Sequence, residues 1–460
     1  MKIAKIPAEE KKNRGKSSRE NMDPTSRVLE GYTAVLNQVN ISNNNNKFYI
    51  VQILDDSPRF NVFTRYGRVG DRGVSNTKSF TDKRQAIAEF CKIFKSKTGN
   101  TWGTTFTKKA GKYMLMKMEV ATPEMEIQPS TTNLPPPVSK IIRMIASRQL
   151  MTQTMMNMNI DTQRLPLGKI SKKQIHEANL ILNTISSELS TDEIAERSSD
   201  FWTLIPFSSG RQRPPLLDNL EQIKACSELL ETLQNIEIAG CIMQNTNSED
   251  DIYKAINLQL TPVTDGEELA LLSKYVGQTH GSTHNYSLEL VSALKIDYAK
   301  PLTLPNRYLL FHGSRMANFL GILSEGLRLP QYHQISNGNI LGSGIYFADS
   351  VTKSFNYTCS SETDNTGFIV LCEVALGTPE YVNGPTTSPL PLTCQSRVAV
   401  GRSQPDPASI VTVDDLTIPC GHIQLNPSPT AQASSFLYNE YVIYNTAQYR
   451  FRYLLELKGR

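Results

Sequence analysis

The sequence predicts a multidomain α+β protein: a small antiparallel β domain with one helix, an all-α helical bundle, and an antiparallel β-rich C-terminal domain. Three observations carry this. Apolar residues follow strand spacing between 47 and 68, helical spacing between 138 and about 275, and strand spacing again from about 300. At 460 residues the chain is too long for one core. A linker rich in Pro, Thr and Ser at 121–137, ending in Pro135-Pro136-Pro137, separates the first two regions.

Charge defines the N-terminal stretch. Residues 1–20 hold seven Lys/Arg against three Glu, an excess equal to the +4 formal charge of the whole chain. A basic tail of this kind buries no core, so 1–44 is expected to be disordered. It suits a nuclear address, a DNA-backbone contact or a solvated tail equally. Composition, 39% hydrophobic and 20% charged, is that of a soluble globular protein. No apolar run approaches the 18 residues of a membrane span, and no signal-peptide core is present, so no membrane is expected. The seven cysteines are scattered without a Cys-x-x-Cys pair, which argues for free thiols and against a zinc site.

In the first domain, Phe48–Leu54 and Phe60–Arg68 read as strands. The turn residues Asp55-Asp56-Ser57-Pro58 and Gly70-Asp71-Arg72-Gly73 close them. Thr81 is placed to cap a helix whose apolar face is Ala86, Phe90, Ile93 and Phe94, and Gly99 ends it. In the middle region Met144, Met151, Met155 and Met158 form one helical stripe, read as core filler. Lys169–Leu189 and Asn219–Met243 have helical spacing. Further on, Tyr308–Phe311, Gly344–Phe347, Gly367–Leu376, Phe436–Tyr444 and Tyr449–Leu457 read as strands.

Three pieces of the last domain carry chemistry. The first is His312-Gly313-Ser314. A glycine at a strand end leaves its backbone donor and acceptor open, and with a serine hydroxyl they match a carboxamide. The histidine is placed to donate to a ribose hydroxyl. The second is "LGSGIYFADSVTKSFNY", 341–357. Its glycines fail the Rossmann pattern, since the third falls on Phe347. Asp349 or Ser350 caps a helix with Lys353, Ser354 and Tyr357 on one face. Tyr346 and Tyr357 suit a flat ring between them. The third is "SFLYNEYVIYN", 435–445, where Glu440 stands alone in a row of apolar and aromatic residues. A carboxylate in such a row costs several kcal/mol unless it is used. Carboxamide clamp, ring sandwich and carboxylate describe a nicotinamide site for cleaving the nicotinamide–ribose bond, whose oxocarbenium-like transition state a negative group stabilises.

On these motifs, residues 300–460 resemble the catalytic domain of the DNA-dependent poly(ADP-ribose) polymerase family. His312, Tyr346 and Glu440 match its triad, within "LFHGSR", "GSGIYFADSVTKSFNY" and "YNEYVIYN". "LPLGKISKKQI", "FWTLIPF" and "PPLLDN" resemble its autoinhibitory helical domain, and "YGRVG" and "KTGNTW" its WGR domain. The resemblance divides the chain into a tail (1–44), a WGR DNA-binding domain (45–120), a linker (121–137), a helical regulatory domain (138–280) and an ADP-ribosyltransferase domain (281–460).

The resemblance implies a DNA-break-activated polymerase. It would use NAD+ as substrate without a metal, modify proteins including itself, elongate the chains, and act in the nucleus. It implies that Gly313 and Ser314 hold the carboxamide, that Tyr346 and Tyr357 stack on the ring, and that His312, Arg328 and Ser354 contact NAD. Glu440 would polarise the ribose and the acceptor hydroxyl, with Lys353 beside it. Tyr66, Arg68 and Trp102 would meet DNA. Tyr66 replaces the tryptophan of the WGR motif, which implies a changed DNA affinity. The "NGNI" loop at 337–340 lacks the aromatic residue that relatives carry. No zinc-finger or BRCT-like segment precedes the WGR region, as in the shorter, finger-free members. A mono(ADP-ribosyl)transferase and a catalytically silent DNA-end scaffold are the alternatives.

Overall fold

The structure, a computed structural model, describes residues 27–116 and 132–460, apart from 166, 168–170, 187, 247, 299, 331–340 and 387. The expected basic tail at 1–20 and the "NGNI" loop lie outside the described residues. The chain divides into two compact units. The first comprises residues up to 118 with 155–166 and 192–216, and the second 119–154, 167–191 and 217–460.

The first unit is built on β1 (Arg27–Asn40), β2 (Asn45–Asp56), β3 (Arg59–Arg68), β4 (Val74–Phe80), α1 (Lys83–Thr98) and β5 (Met114–Leu115). The sheet is antiparallel in the order β4-β3-β2-β1-β5. Ala86, Phe90 and Phe94 of α1 pack on Ala34, Val51, Ile53 and Val62, each buried Phe, Val or Ile side chain contributing about 1.5–3 kcal/mol. The cap of α1 is Asp82, one residue beyond the expected Thr81, and its side chain accepts from the Arg84 N–H. Gly99 closes the helix at φ 71°, where a Cβ would be strained.

Part of the expected tail is therefore ordered. Residues 27–40 form an inner strand, because Ala34 and Leu36 face the core opposite Val51 and Tyr49. The resemblance placed the boundary at 44, and the strand alternation places it earlier.

The helices that follow are α2 (Pro136–Ile145), α3 (Arg148–Asn157), α4 (Lys172–Asn183), α5 (Thr191–Leu204), α6 (Leu220–Gln244) and α7 (Glu249–Ile256). The expected linker ends two residues early, since Pro136 opens α2, where a missing N–H costs nothing. Met151 and Met155 are fully buried, as core filler should be. The region does not stand as one bundle. Most of α5 belongs to the first unit, where Thr203 accepts from the Asn37 side chain (2.9 Å) through its carbonyl and from the Val39 N–H (3.1 Å) through its hydroxyl.

The second unit continues with β6 (Gln259–Pro262), α8 (Gly266–Gln278), β7 (Leu288–Asp297), β8 (Arg307–Gly313), α9 (Phe319–Glu325), β9 (Ile345–Phe347), α10 (Val351–Phe355), β10 (Thr366–Ala375), β11 (Pro379–Val382), β12 (Ser396–Ala399) and β13 (Ser403–Pro405). β14 (Val411–Val413), β15 (Leu416–Ile418), β16 (Ile423–Leu425), β17 (Glu440–Ile443) and β18 (Tyr449–Gly459) complete it. Seven strands form a sheet in the order β14-β15-β8-β10-β18-β7-β6, and four form a second in the order β11-β12-β17-β9. Pairing is mainly antiparallel, with β15–β8 and β11–β12 parallel. Leu272, Tyr275 and Val276 of α8 pack on Leu309, Phe311, Ile369 and Leu455 of the large sheet. That packing places α8 with the β-rich domain, so the boundary expected at 280 falls before residue 266. The two sheets meet where Phe311 pairs with Ala348, at the ends of β8 and β9. Among the described residues no helix is long and apolar enough to cross a membrane.

Candidate active site

The junction of the two sheets opens into a cavity of about 480 Å³. His312, Gly313, Ser314, Arg328, Tyr346, Lys353, Ser354, Tyr357 and Glu440 all line it. These are the nine residues that the sequence assigns to nucleotide and acceptor, delivered from β8, β9, α10, β17 and the segment after α9.

β8 supplies the first wall. Its apolar residues Leu309, Leu310 and Phe311 are buried, so the strand is anchored up to His312. His312 Nδ1 lies 2.9 Å from the Tyr346 carbonyl, which can only accept, so Nδ1 carries the proton. Burial holds the imidazole below its usual range and therefore neutral. Nε2 is then an acceptor. A ribose hydroxyl would donate to it, the reverse of the sequence-based expectation.

Gly313 pairs with Ile369, and a Cβ there would sit 1.9 Å from the Ser354 carbonyl oxygen. No side chain fits, which leaves the backbone of 313 open. The Ser314 hydroxyl accepts from the Asn318 amide (2.9 Å), so its own proton is free to donate. Ser354 differs from its expected use: it is buried and its hydroxyl donates to the Phe311 carbonyl (3.1 Å), tying α10 to β8.

The two tyrosines are held differently. The Tyr346 hydroxyl donates to the Gly342 carbonyl (2.8 Å) and accepts from the Leu341 N–H (3.1 Å), and burial raises its pKa. Tyr357 is half exposed, with the Lys224 ammonium 5.9 Å from its ring centre. Tyr357 lies past the end of α10, in a 3₁₀ turn (Asn356–Thr358), so the single helix face expected for Lys353, Ser354 and Tyr357 stops at Phe355. Ser350 stands at the cap position of α10, and its hydroxyl donates to the Thr279 carbonyl.

Glu440 opens β17, paired with Ala399. Its Oε1 meets the Lys353 ammonium at 2.7 Å, and that ammonium also donates to the Asn439 (3.1 Å) and Tyr438 (3.3 Å) carbonyls. Burial lowers the Lys353 pKa, against the pull of Glu440. The pair is 18% and 19% exposed, so it is screened from bulk water yet open to the cavity.

One wall went unread in the sequence. α6 presents Lys224, Glu228, Glu231 and Asn235 to the cavity. Their spacings of four, three and four make one helical face. That polar stripe was the available signal. Asn235 accepts from Arg328 (2.5 Å), which also reaches Glu325 (3.2 Å). Glycine lets the helices close: a Cβ on Gly321 would lie 2.7 Å from the Asn235 side chain.

The expected DNA residues lie in the first unit. Tyr66 is exposed and stacks on Tyr49, with ring centres 5.5 Å apart and planes 8° apart. Lys97 stands over the Tyr49 ring at 4.6 Å. Arg68 donates to the Asn44 carbonyl (2.9 Å) and side chain (2.8 Å), and to the Gly210 and Gln212 carbonyls. Trp102 packs edge-on against Phe90 and Phe94 as part of the core. Among the described residues no group of three His, Cys, Asp or Glu could hold a metal.

The cavity is thus walled by the β-rich domain on one side and by α6 on the other. Comparison with known proteins gives the family. Residues 266–459 match the model of the poly(ADP-ribose) polymerase catalytic domain, 132–258 that of the poly(ADP-ribose) polymerase regulatory domain, and 32–109 that of the WGR domain. The chain is 36% identical over 457 residues to poly [ADP-ribose] polymerase 1 of Gallus gallus, covering 93% of this chain and 45% of that protein. It is 35% identical over 464 residues to poly [ADP-ribose] polymerase 2-A of Oryza sativa subsp. japonica, covering 93% and 70%. With poly [ADP-ribose] polymerase 2 of Arabidopsis thaliana the figures are 33% over 470 residues, 93% and 73%. The chain belongs to the poly(ADP-ribose) polymerase family. It spans about half the length of the animal relatives it matches.

Proposed function

We propose that the chain is a DNA-break-activated poly(ADP-ribose) polymerase. It transfers ADP-ribose from NAD+ to protein side chains, its own included, then to earlier ADP-ribose units. The observation that carries this is the Lys353–Glu440 pair inside the cavity that His312, Gly313 and Ser314 also line.

The open backbone of Gly313 and the free Ser314 proton suit the carboxamide, and the neutral His312 suits a ribose hydroxyl. Tyr346 and Tyr357 offer ring faces. As the nicotinamide–ribose bond breaks, its electron pair leaves with nicotinamide and positive charge grows on the sugar. Glu440 offsets that charge through the ribose hydroxyl. An acceptor hydroxyl, oriented by Glu440, then bonds to the anomeric carbon and passes its proton to that carboxylate. Lys353 holds the carboxylate in place.

α6 occupies the nucleotide's side of the cavity, with Glu231 facing a space that would hold phosphates. Carboxylate against phosphate is repulsive, which suits autoinhibition. Tyr66, an exposed aromatic stacked on the Tyr49 ring over which Lys97 stands, suits a DNA end. DNA must favour a state in which α6 has yielded. Arg68 enters as the residue that fixes the turn beside that surface, and Trp102 as its core support. The basic tail and activation by DNA are consistent with a nuclear protein.

The test is radiolabelled NAD+ turnover with and without a nicked duplex, resolved on a gel. A DNA-dependent ladder is expected. A single band would mean mono-transfer, and no label with either sample a silent scaffold. Tyr66→Ala should raise the DNA concentration needed for half activation by about tenfold, as loss of one stacking contact implies.

A further inference from the structure

We propose that Asp349 is a positioning residue for Glu440: its buried carboxylate grips both chain neighbours of Glu440 and so sets where that side chain stands. The inference rests on the role given to Glu440 above.

Asp349 is 1% exposed. Its Oδ2 accepts from the Asn439 side-chain amide at 2.7 Å and from the Tyr441 hydroxyl at 3.0 Å. Residues 439 and 441 flank 440, and alternation along a strand turns both away from the face that Glu440 presents to the cavity. One carboxylate oxygen thus holds the strand from behind on either side of the functional residue. Asn439 is fixed further, because its Oδ1 accepts from the Gly401 N–H at 2.8 Å.

The second arm runs through α10. That helix starts two residues after Asp349 and carries Lys353, whose ammonium meets both the Asn439 carbonyl and the Glu440 carboxylate. Asp349 therefore ties together the two elements that place the ion pair, β17 and α10. The arrangement is costly to keep. Asp349 Oδ1 is buried and has no hydrogen-bond partner among the described residues, and no cation is in hydrogen-bond contact with the carboxylate. An unpaired buried polar atom is unfavourable, so packing alone does not account for an aspartate here. The residues that would hold NAD+ on β8, His312, Gly313 and Ser314, make no hydrogen bond to it. Loss of Asp349 should disturb turnover and spare substrate binding.

The experiment compares full-length Asp349→Ala and Asp349→Asn with the parent chain, measuring nicotinamide release over a range of NAD+ concentrations. Asp349→Ala should lower kcat by about 10- to 100-fold, as a displacement near 1 Å can, with KM for NAD+ unchanged within about twofold. Asp349→Asn keeps an oxygen for both donors and should recover most of kcat. Unchanged kcat in Asp349→Ala, kcat and KM impaired together, or Asp349→Asn as poor as Asp349→Ala would each overturn the proposal. If Asp349→Ala does not fold, Tyr441→Phe decides. It removes one hydroxyl, and lower kcat at constant KM supports the inference while unchanged kcat refutes it. If the parent chain releases no nicotinamide, the functional reading fails. Crystal structures then decide the positioning: a Lys353–Glu440 separation in Asp349→Ala well beyond 2.7 Å upholds it, and an unchanged one ends it.

Discussion

Two ion pairs, one in each compact unit, use the same chemistry to opposite ends. In the first unit Arg164 and Asp161 are 4% and 3% exposed. Asp161 accepts from Arg164 (2.9 Å), the Gly70 N–H (2.7 Å) and the Gln163 N–H (3.1 Å). Arg164 also donates to the Asp71 carbonyl and lies 3.7 Å over the Phe48 ring. Its donors are committed to fixed groups of the unit. In the second unit Glu440 spends one oxygen on Lys353, and no hydrogen bond from the protein reaches the other among the described residues. A saturated pair holds structure. A half-saturated pair facing a cavity has capacity left for a ligand.

That contrast can be broken at four points. The largest effect is expected from Arg164→Ala, which leaves Asp161 buried without its cation and should cost about 3–5 kcal/mol. Both tryptophans of the chain, Trp102 and Trp202, belong to the first unit, so denaturant unfolding followed by tryptophan fluorescence reads it directly. A midpoint shift of that size with DNA-independent nicotinamide release retained would confirm a structural pair.

Glu440→Gln is the converse. It should leave unfolding near that of the parent chain and abolish elongation, with turnover lower by roughly 100- to 1,000-fold, the scale of losing one electrostatic stabiliser. Long polymer from this variant on a labelled-NAD+ gel would refute the assignment.

Gly313→Ala should cost about 1–3 kcal/mol by overpacking, since its Cβ would meet the Ser354 carbonyl. It should also remove nicotinamide binding by calorimetry. A normal affinity would show that the backbone of 313 is not the clamp.

The smallest effect concerns pH. The folded His312 pKa lies below the ordinary 6.5, so the unfolded chain binds the proton more readily. Its contribution to stability is in place above the unfolded value and is lost as pH falls through it. Protonation also removes the Nε2 acceptor. KM for NAD+ should rise on acidification, by at most about fourfold near pH 6, the factor a group of pKa 6.5 would give. The same acid limb in His312→Gln would assign it to another group.

Much of the site was legible because its signals are local. A run of buried residues into His312-Gly313-Ser314, a short helix carrying Lys353, and one carboxylate in an aromatic row need no knowledge of the rest of the chain. Other features depended on contacts between distant segments. Residues 27–40 looked like more tail until β2 supplied their partner. Trp102 looked like a surface aromatic until Phe90 and Phe94 enclosed it. Asp349 read as a helix cap, and only the approach of Asn439 and Tyr441, ninety and ninety-two positions on, gave it another use.

The sequence by itself determined most of the element types, the three-domain order and the identities of nine of the groups that face the cavity. Periodicity, turn residues and side-chain chemistry are properties of neighbours in the chain. Tertiary structure decided the direction of each hydrogen bond, the tautomer of His312, the allegiance of α5 and α8, and the entry of α6 into the cavity wall. Those follow from which distant surfaces exclude water together, and no local pattern records that.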